Sequence, residues 1–228
     1  MPLAPTLTID GPGGSGKGTV GRRVAHELGW HFLDSGALYR LLALAAINHG
    51  IELEDVARLA PLATQLDVRF VATGGEEDGI ILLENHDVTD AIRTETIGNA
   101  ASVVASNGVV RAALLDRQRG FCQAPGLVAD GRDMGTVVFP RAEVKVFITA
   151  SAWVRAERRY KQLKEKGLDV NLAAVLADIE ARDERDRNRP VAPLVPAADA
   201  TIIDTSSMSV AQVVHDVLKI VASQVSQR

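Results

Sequence analysis

Leu7-Thr8-Ile9-Asp10 runs directly into Gly11-Pro12-Gly13-Gly14-Ser15-Gly16-Lys17-Gly18-Thr19, and Val20, Val24 and Leu28 follow at helical spacing up to Gly29. An apolar run, a glycine-dense turn and an amphipathic stretch in that order read as strand, phosphate loop and helix, with the G-x-x-x-x-G-K pattern in the turn. Glycines let the backbone curl so that several N–H groups converge on one anion, and the positive end of the following helix adds to the attraction. Lys17 would reach the β- and γ-phosphates of a bound nucleotide, and Gly29 is a natural C-terminal cap. Most such loops carry Ser or Thr straight after the lysine. Here Gly18 takes that place and Thr19 stands one residue further on, so the hydroxyl's role toward Mg²⁺ stays open. The motif establishes a nucleotide-binding loop and leaves kinase, GTPase and ATPase as alternatives.

Outward from the loop, five short apolar segments read as buried strands: Leu7 to Asp10, His31 to Asp34, Leu127 to Asp130, Val144 to Thr149 and Thr201 to Asp204. Helical spacing alternates with them, which predicts a parallel sheet covered by helices on both faces, with ligands outside the carboxyl ends of the strands. In the last helix Val210, Val213, Val214, Val217, Leu218 and Val221 form an apolar face, and Ser209 with Gln212 suits a capping box. Two segments interrupt the alternation. From Leu66 to about Arg93, apolar and polar residues alternate, Gly74-Gly75 punctuates and Ile80 to Leu83 follows, which predicts a small antiparallel insertion. From about Arg155 to Pro190 the sequence is highly charged and reads as helical.

The composition narrows the classes. With 228 residues, 46% of them apolar, one main domain is expected. The net charge of −4 makes nucleic acid a poor partner and requires any anion site to be built from clustered arginines. Cys122 is the only cysteine, which excludes an internal disulfide and fits a reducing, cytoplasmic compartment. Met1 to Pro5 lacks a basic signal-peptide region, and the longest purely apolar run, Leu41 to Ile47, is far short of the roughly 20 residues of a membrane span, so no membrane partner is expected. His26, His31, His49, His86 and His215 form no metal or triad pattern.

Three further motifs carry a resemblance that covers nearly the whole chain. Asp34-Ser35-Gly36-Ala37-Leu38-Tyr39-Arg40, Ala129-Asp130-Gly131-Arg132-Asp133-Met134-Gly135-Thr136-Val137-Val138-Phe139-Pro140, and Arg182 through Pro190 with its Arg-Asp-Arg-Asn-Arg core, together with Gly-Lys-Gly-Thr in the loop, are similar to those of bacterial cytidylate kinases. The resemblance implies a P-loop NTPase fold, an α/β domain spanning 1–228 with a five-stranded parallel sheet, an acceptor-nucleotide insertion at about 63–101 and a helical lid at about 153–185. It implies transfer of the γ-phosphoryl group of ATP to CMP, and to dCMP, by a monomer using Mg²⁺. Gly11 to Thr19 with Arg155 and Arg159 would hold ATP. Ser35, Tyr39, Arg40, Ser102, Arg111, Arg132, Asp133, Arg182, Asp186 and Arg189 would hold CMP, with Lys17, Arg132, Arg182 and Arg189 acting in the transfer itself.

The residue types suit those roles. Arg40, Arg132 and Arg189 offer forked donors for a phosphate. Asp133 can accept from the N4 amine of cytosine, with Ser102 and Arg111 at the rest of the base edge. Each has a plainer reading: Tyr39 as core packing, Ser102 and Arg111 as exposed helix residues, Asp186 as an i,i+4 partner of Arg182. Arg182, Arg185 and Arg189, like Arg155, Arg158 and Arg159, recur at helical spacing and predict two positive stripes, with a pair of salt-bridged surface helices as the alternative. Asp130, ending a strand, could hold water around Mg²⁺. The acceptor's own phosphate is mostly dianionic at neutral pH, so no general base is needed. A kinase for UMP or another small acceptor is the neighbouring reading, and a nucleotide-dependent switch the more distant one. The switch lacks an N-K-x-D pattern.

Overall fold

The structure, a computed structural model, describes residues 4–71 and 79–225. The expected Gly74-Gly75 turn and the first three residues lie outside that range. The chain packs as two compact units, Met1–Asp34 with Gln118–Arg228, and Ser35–Arg117.

The larger unit is built on five parallel strands, β1 (Thr6–Asp10), β2 (His31–Asp34), β6 (Leu127–Gly131), β7 (Val144–Thr149) and β8 (Thr201–Asp204), in the order β2-β6-β1-β7-β8. β1 sits between β6 and β7 and is buried along its whole length. Its carboxyl end is therefore where neighbouring strands also deliver their termini. One face of the sheet places Leu7, Ile9, Val144, Val146 and Ile148 against Val20 and Val24 of α1 (Lys17–Leu28) and Val213, Val217 and Val221 of α8 (Val210–Val225). Full burial of each such side chain contributes about 1.5–3 kcal/mol. Helix α1 stops at Gly29, whose φ of 64° suits glycine and whose N–H caps the carbonyls of Ala25 and His26. Ser209 and Gln212 exchange the expected capping-box hydrogen bonds.

Two charged helices, α6 (Ala152–Glu165) and α7 (Leu172–Arg187), belong to the same unit and join through Ala156, Leu163 and Val175. The expected arginine stripes do not form. Helix α7 ends at Arg187, so Arg189 lies beyond it, as the extended preference before Pro190 requires. On α6, Arg155 is only 3% exposed. Its guanidinium is taken up in an ion pair with Asp183 of α7, which is nearer the salt-bridged alternative.

The smaller unit packs α2 (Ser35–Asn48), α3 (Val56–Thr64), α4 (Glu95–Val104) and the start of α5 (Gly108–Arg119) around Leu41, Leu42, Leu59, Val104 and Leu114. It carries an antiparallel sheet of β3 (Val68–Val71), β4 (Ile80–Leu83) and β5 (His86–Asp87), the insertion read from the alternating residues. Among the described residues no helix is long and apolar enough to cross a membrane.

Candidate functional site

The phosphate loop is wedged between strand ends. A Cβ on Gly11, which has φ +152°, would stand 2.0 Å from the carbonyl oxygen of Ile148, so only glycine lets β1 turn off so close to β7. Gly16, at φ 89°, leads into α1, whose first turn contains no acidic residue and no side-chain cap. The helix's own N–H groups therefore remain directed at the loop. Ser15 is buried, and its hydroxyl has no hydrogen-bond partner among the described residues. A phosphate oxygen would supply one.

Lys17 is buried, donates to the Pro12 carbonyl at 3.3 Å and stands 3.8 Å from Asp130. Burial, together with the nearby Arg132, pulls its pKa down to about 8, against the attraction of Asp130 and Asp34. Burial in turn pushes the Asp130 carboxyl up to about 6, with Lys17 opposing. One Asp130 oxygen is buried without a hydrogen-bond partner among the described residues. The other lies 3.1 Å from where a Cβ on Gly18 would be. The missing Ser or Thr after the lysine thus has a structural counterpart: the space beside residue 18 is taken by a carboxylate. A hard cation favours oxygen donors of this kind, and Asp130 fits Mg²⁺ or its water shell. Thr19 is exposed.

Arg132 and Arg182 meet the loop, and Arg189 is tied to Arg132 through Asp186. A Cβ on Gly13 would lie 3.3 Å from Nη2 of Arg132 and 3.7 Å from Nε of Arg182. Arg132 donates from Nε to Asp186 at 2.8 Å, and Arg189 reaches the other oxygen of Asp186 at 3.4 Å. Asp186 is 5% exposed. Burial would raise its pKa, but Arg132 and Arg189 outweigh that and hold it below the usual carboxylate range. For Arg132, burial is likewise outweighed by Asp186, and its pKa is raised. Asp133, next to Arg132, is buried. Lys17, Arg132, Arg182 and Arg189 thus form one electrostatic cluster at the glycine loop, in which Asp186 joins Arg132 to Arg189 and Asp130 faces Lys17.

The α6 arginines serve the loop in a different way. Arg155 donates from Nε to Ala150 and from Nη1 to the Gly13 carbonyl, at 3.0 Å each, while both terminal nitrogens engage Asp183. It braces the loop through a carbonyl. Arg158 donates to the Thr205 carbonyl at 2.6 Å, and the Thr205 hydroxyl is 3.2 Å from the Ser15 carbonyl. Arg159 reaches Gln162 on its own helix at 3.4 Å. A cavity of about 540 Å³ borders Pro12, Arg155 and Asp183. Arg158 counts in the sequence only toward a positive stripe, and Asp183 is not among the site residues read there. Asp183 lies 28 positions from Arg155, too far for helix spacing to pair them.

The smaller unit holds the other candidates. The Arg111 guanidinium lies 5.4 Å from the centre of the Tyr39 ring and donates to the Ala105 carbonyl at 3.1 Å. Tyr39 and Arg111 are 6% and 7% exposed, so Tyr39 does pack in the core and Arg111 is not the surface residue of the plainer reading. The Ser102 hydroxyl is buried with no hydrogen-bond partner among the described residues. Arg40 donates to the Ile92 carbonyl at 2.9 Å, and Ser35 is buried.

Residues 7–223 match the family model described as cytidylate kinase. The chain is 58% identical over 216 residues to a protein named cytidylate kinase from Aeromonas hydrophila subsp. hydrophila, covering 95% of this chain and 93% of that one. It is 59% identical over 208 residues to a protein of the same name from Shewanella amazonensis, covering 91% and 90%. A solved structure of an uncharacterized protein from Eubacterium ventriosum superposes with a TM-score of 0.51 at 10% identity, covering 96% of this chain and 99% of that one. That likeness is one of fold alone.

Proposed function

The chain belongs to the cytidylate kinase family, and from that premise we infer how its residues share the work of the reaction. The protein transfers the γ-phosphoryl group of ATP to CMP. A phosphate oxygen of CMP bonds to the γ-phosphorus as the bond to the β,γ-bridging oxygen breaks, and CDP and ADP result. The observation that carries the assignment of roles is the approach of Arg132 and Arg182 to Gly13, within the electrostatic reach of Lys17.

Phosphoryl transfer spreads charge over the migrating group, so catalysis is chiefly positioning and neutralisation. The loop amides and Lys17 hold the donor phosphates. Arg132, Arg182 and Arg189 hold the acceptor phosphate and the migrating group, and Asp186 keeps two of these cations packed together until an anion arrives, then turns to the acceptor ribose. Asp133 takes the cytosine amine; Ser102 and Arg111 are the small unit's candidates for the base edge, and Ser35, Tyr39 and Arg40 its other contacts to CMP. Arg155 and Arg159 support ATP binding, Arg155 by fixing the Gly13 carbonyl. Asp130, or alternatively the Thr19 hydroxyl, would help to hold Mg²⁺ or its water shell, and the metal would supply charge neutralisation on the nucleotide phosphates. dCMP is a second acceptor, and the working form is a cytoplasmic monomer. The insertion at about 63–101 moves with CMP and the lid at about 153–185 with ATP, which excludes water from the transfer. Hydrogen exchange with each ligand alone should protect one segment each.

A coupled assay of ADP formation with ATP and a panel of nucleoside monophosphates tests the reading. CMP should support the highest kcat/KM, and Asp133→Ala should level CMP with UMP. ADP formation that ignores added monophosphate would favour the switch instead.

A further inference from the structure

Asp10 takes no part in the roles above, yet it is buried at the meeting point of the two phosphate-handling loops. One carboxylate oxygen accepts the N–H of Met134 and the other that of Gly135, both at 2.8 Å. Its backbone sits opposite Gly131 in the β1–β6 ladder. The same residue therefore pins the chain on both sides of Arg132-Asp133: at Gly131 through the strand register, and at Met134 and Gly135 through its side chain. The following residue is Gly11, where the donor loop starts. Gly135 lets the turn come this close, since a Cβ there would stand 2.9 Å from the Thr8 hydroxyl and 3.4 Å from an Asp10 oxygen. Asp133 is itself bridged to the same turn, its carbonyl accepting from Val137 at 2.9 Å.

We infer that Asp10 is a positioning residue for acceptor recognition, holding Arg132 and Asp133 at a fixed distance from the donor loop without touching either nucleotide. The inference rests on the reading of Arg132 and Asp133 as acceptor contacts. Both oxygens of Asp10 are occupied by backbone donors and the residue is 4% exposed, so its effect must pass through the turn it clamps. Geometry of this kind is worth most in the transition state, where small displacements of a charged donor change rates by large factors.

The test is Asp10→Asn, which keeps the shape but turns one acceptor into a donor facing an N–H group. In the purified full chain the ratio of kcat/KM for CMP over UMP should fall at least fivefold, with KM for CMP up about tenfold and KM for ATP within about twofold. A merely structural role would lower the amount of active enzyme and leave that ratio unchanged, and such a result overturns the inference. If Asp10→Asn does not fold, Gly135→Ala, which crowds the clamp from the other side, should give the same lowered ratio; an unchanged ratio there also overturns it. In the wild-type protein the Met134 and Gly135 amides should exchange slowly, and rapid exchange would remove the clamp altogether. A wild-type enzyme without CMP preference would instead defeat the acceptor reading on which this rests.

Discussion

Replacing Asp186 with alanine strands two guanidinium groups at once. Arg132 and Arg189 each contact one of its oxygens, at 2.8 and 3.4 Å, and their side chains are only 16% and 4% exposed. Arg182 adds a third cation within electrostatic reach. Breaking a buried ion pair by deleting one partner costs about 3–5 kcal/mol, because the remaining charge stays out of water without compensation. For a chain of this size about 1 kcal/mol corresponds to 2–4 °C in Tm, so Asp186→Ala should melt about 6–20 °C below wild type. The same arithmetic predicts a rescue. If the cluster is an anion pocket, inorganic phosphate can replace the lost carboxylate, and it should raise Tm more in the variant than in wild type. Differential scanning fluorimetry with and without phosphate, with chloride at matched ionic strength as control, gives both numbers. A variant melting within about 2 °C of wild type, with no extra gain from phosphate, would refute the reasoning.

Other consequences follow from the loop and its braces. Lys17 must be charged and Asp130 ionised for ATP to be held as described; Lys17 loses its charge as pH rises through about 8, and Asp130 its ionisation as pH falls through about 6. The pH profile of kcat/KM for ATP should therefore drop on both sides, and Asp130→Asn should remove the part of the acid limb that ATP's own titration does not explain. Gly11→Ala forces a Cβ to within 2.0 Å of a backbone oxygen in β7; we expect a cost of about 3 kcal/mol or more by urea denaturation and activity down at least about a hundredfold. Arg155→Met leaves Asp183, among the described residues, with an ion pair to Arg187 at 3.6 Å, whose side chain is 64% exposed. It should lose about 3–5 kcal/mol, and the double change with Asp183→Leu should recover much of that in a double-mutant cycle.

The central sheet was legible because each strand is a short apolar run bounded by turn or helix signals, and its five segments appear with their ends shifted by at most one residue. The phosphate loop was legible for a sharper reason: Gly11, Gly16 and Lys17 occupy positions that few other residue types can fill. Helix α3 has no counterpart among the elements read from the sequence, because it is only nine residues long and carries Pro61, a residue that argues against a helix interior. Charge patterns misled where burial decides the outcome. Arg155 shares the spacing of Arg158 and Arg159, but spacing reports only which face a residue lies on. That this face meets Asp183 is a tertiary fact. Asp10 illustrates the same limit. Four of the five apolar segments read as strands end at an aspartate, and nothing in the sequence separates Asp10, which clamps a neighbouring turn, from Asp204, which accepts from Ser206 in its own loop. Gly18 was readable as a departure from the usual loop, whereas the carboxylate that fills its place came from Asp130, more than a hundred residues away.

A crystal structure of the full chain soaked with CMP tests the central claim most directly. The account predicts the CMP phosphate within hydrogen-bond reach of Arg132, Arg182 and Arg189, on the side of the cluster that faces Gly13 and Lys17. A phosphate bound elsewhere, with Arg132 and Arg189 still closed on Asp186, would contradict it.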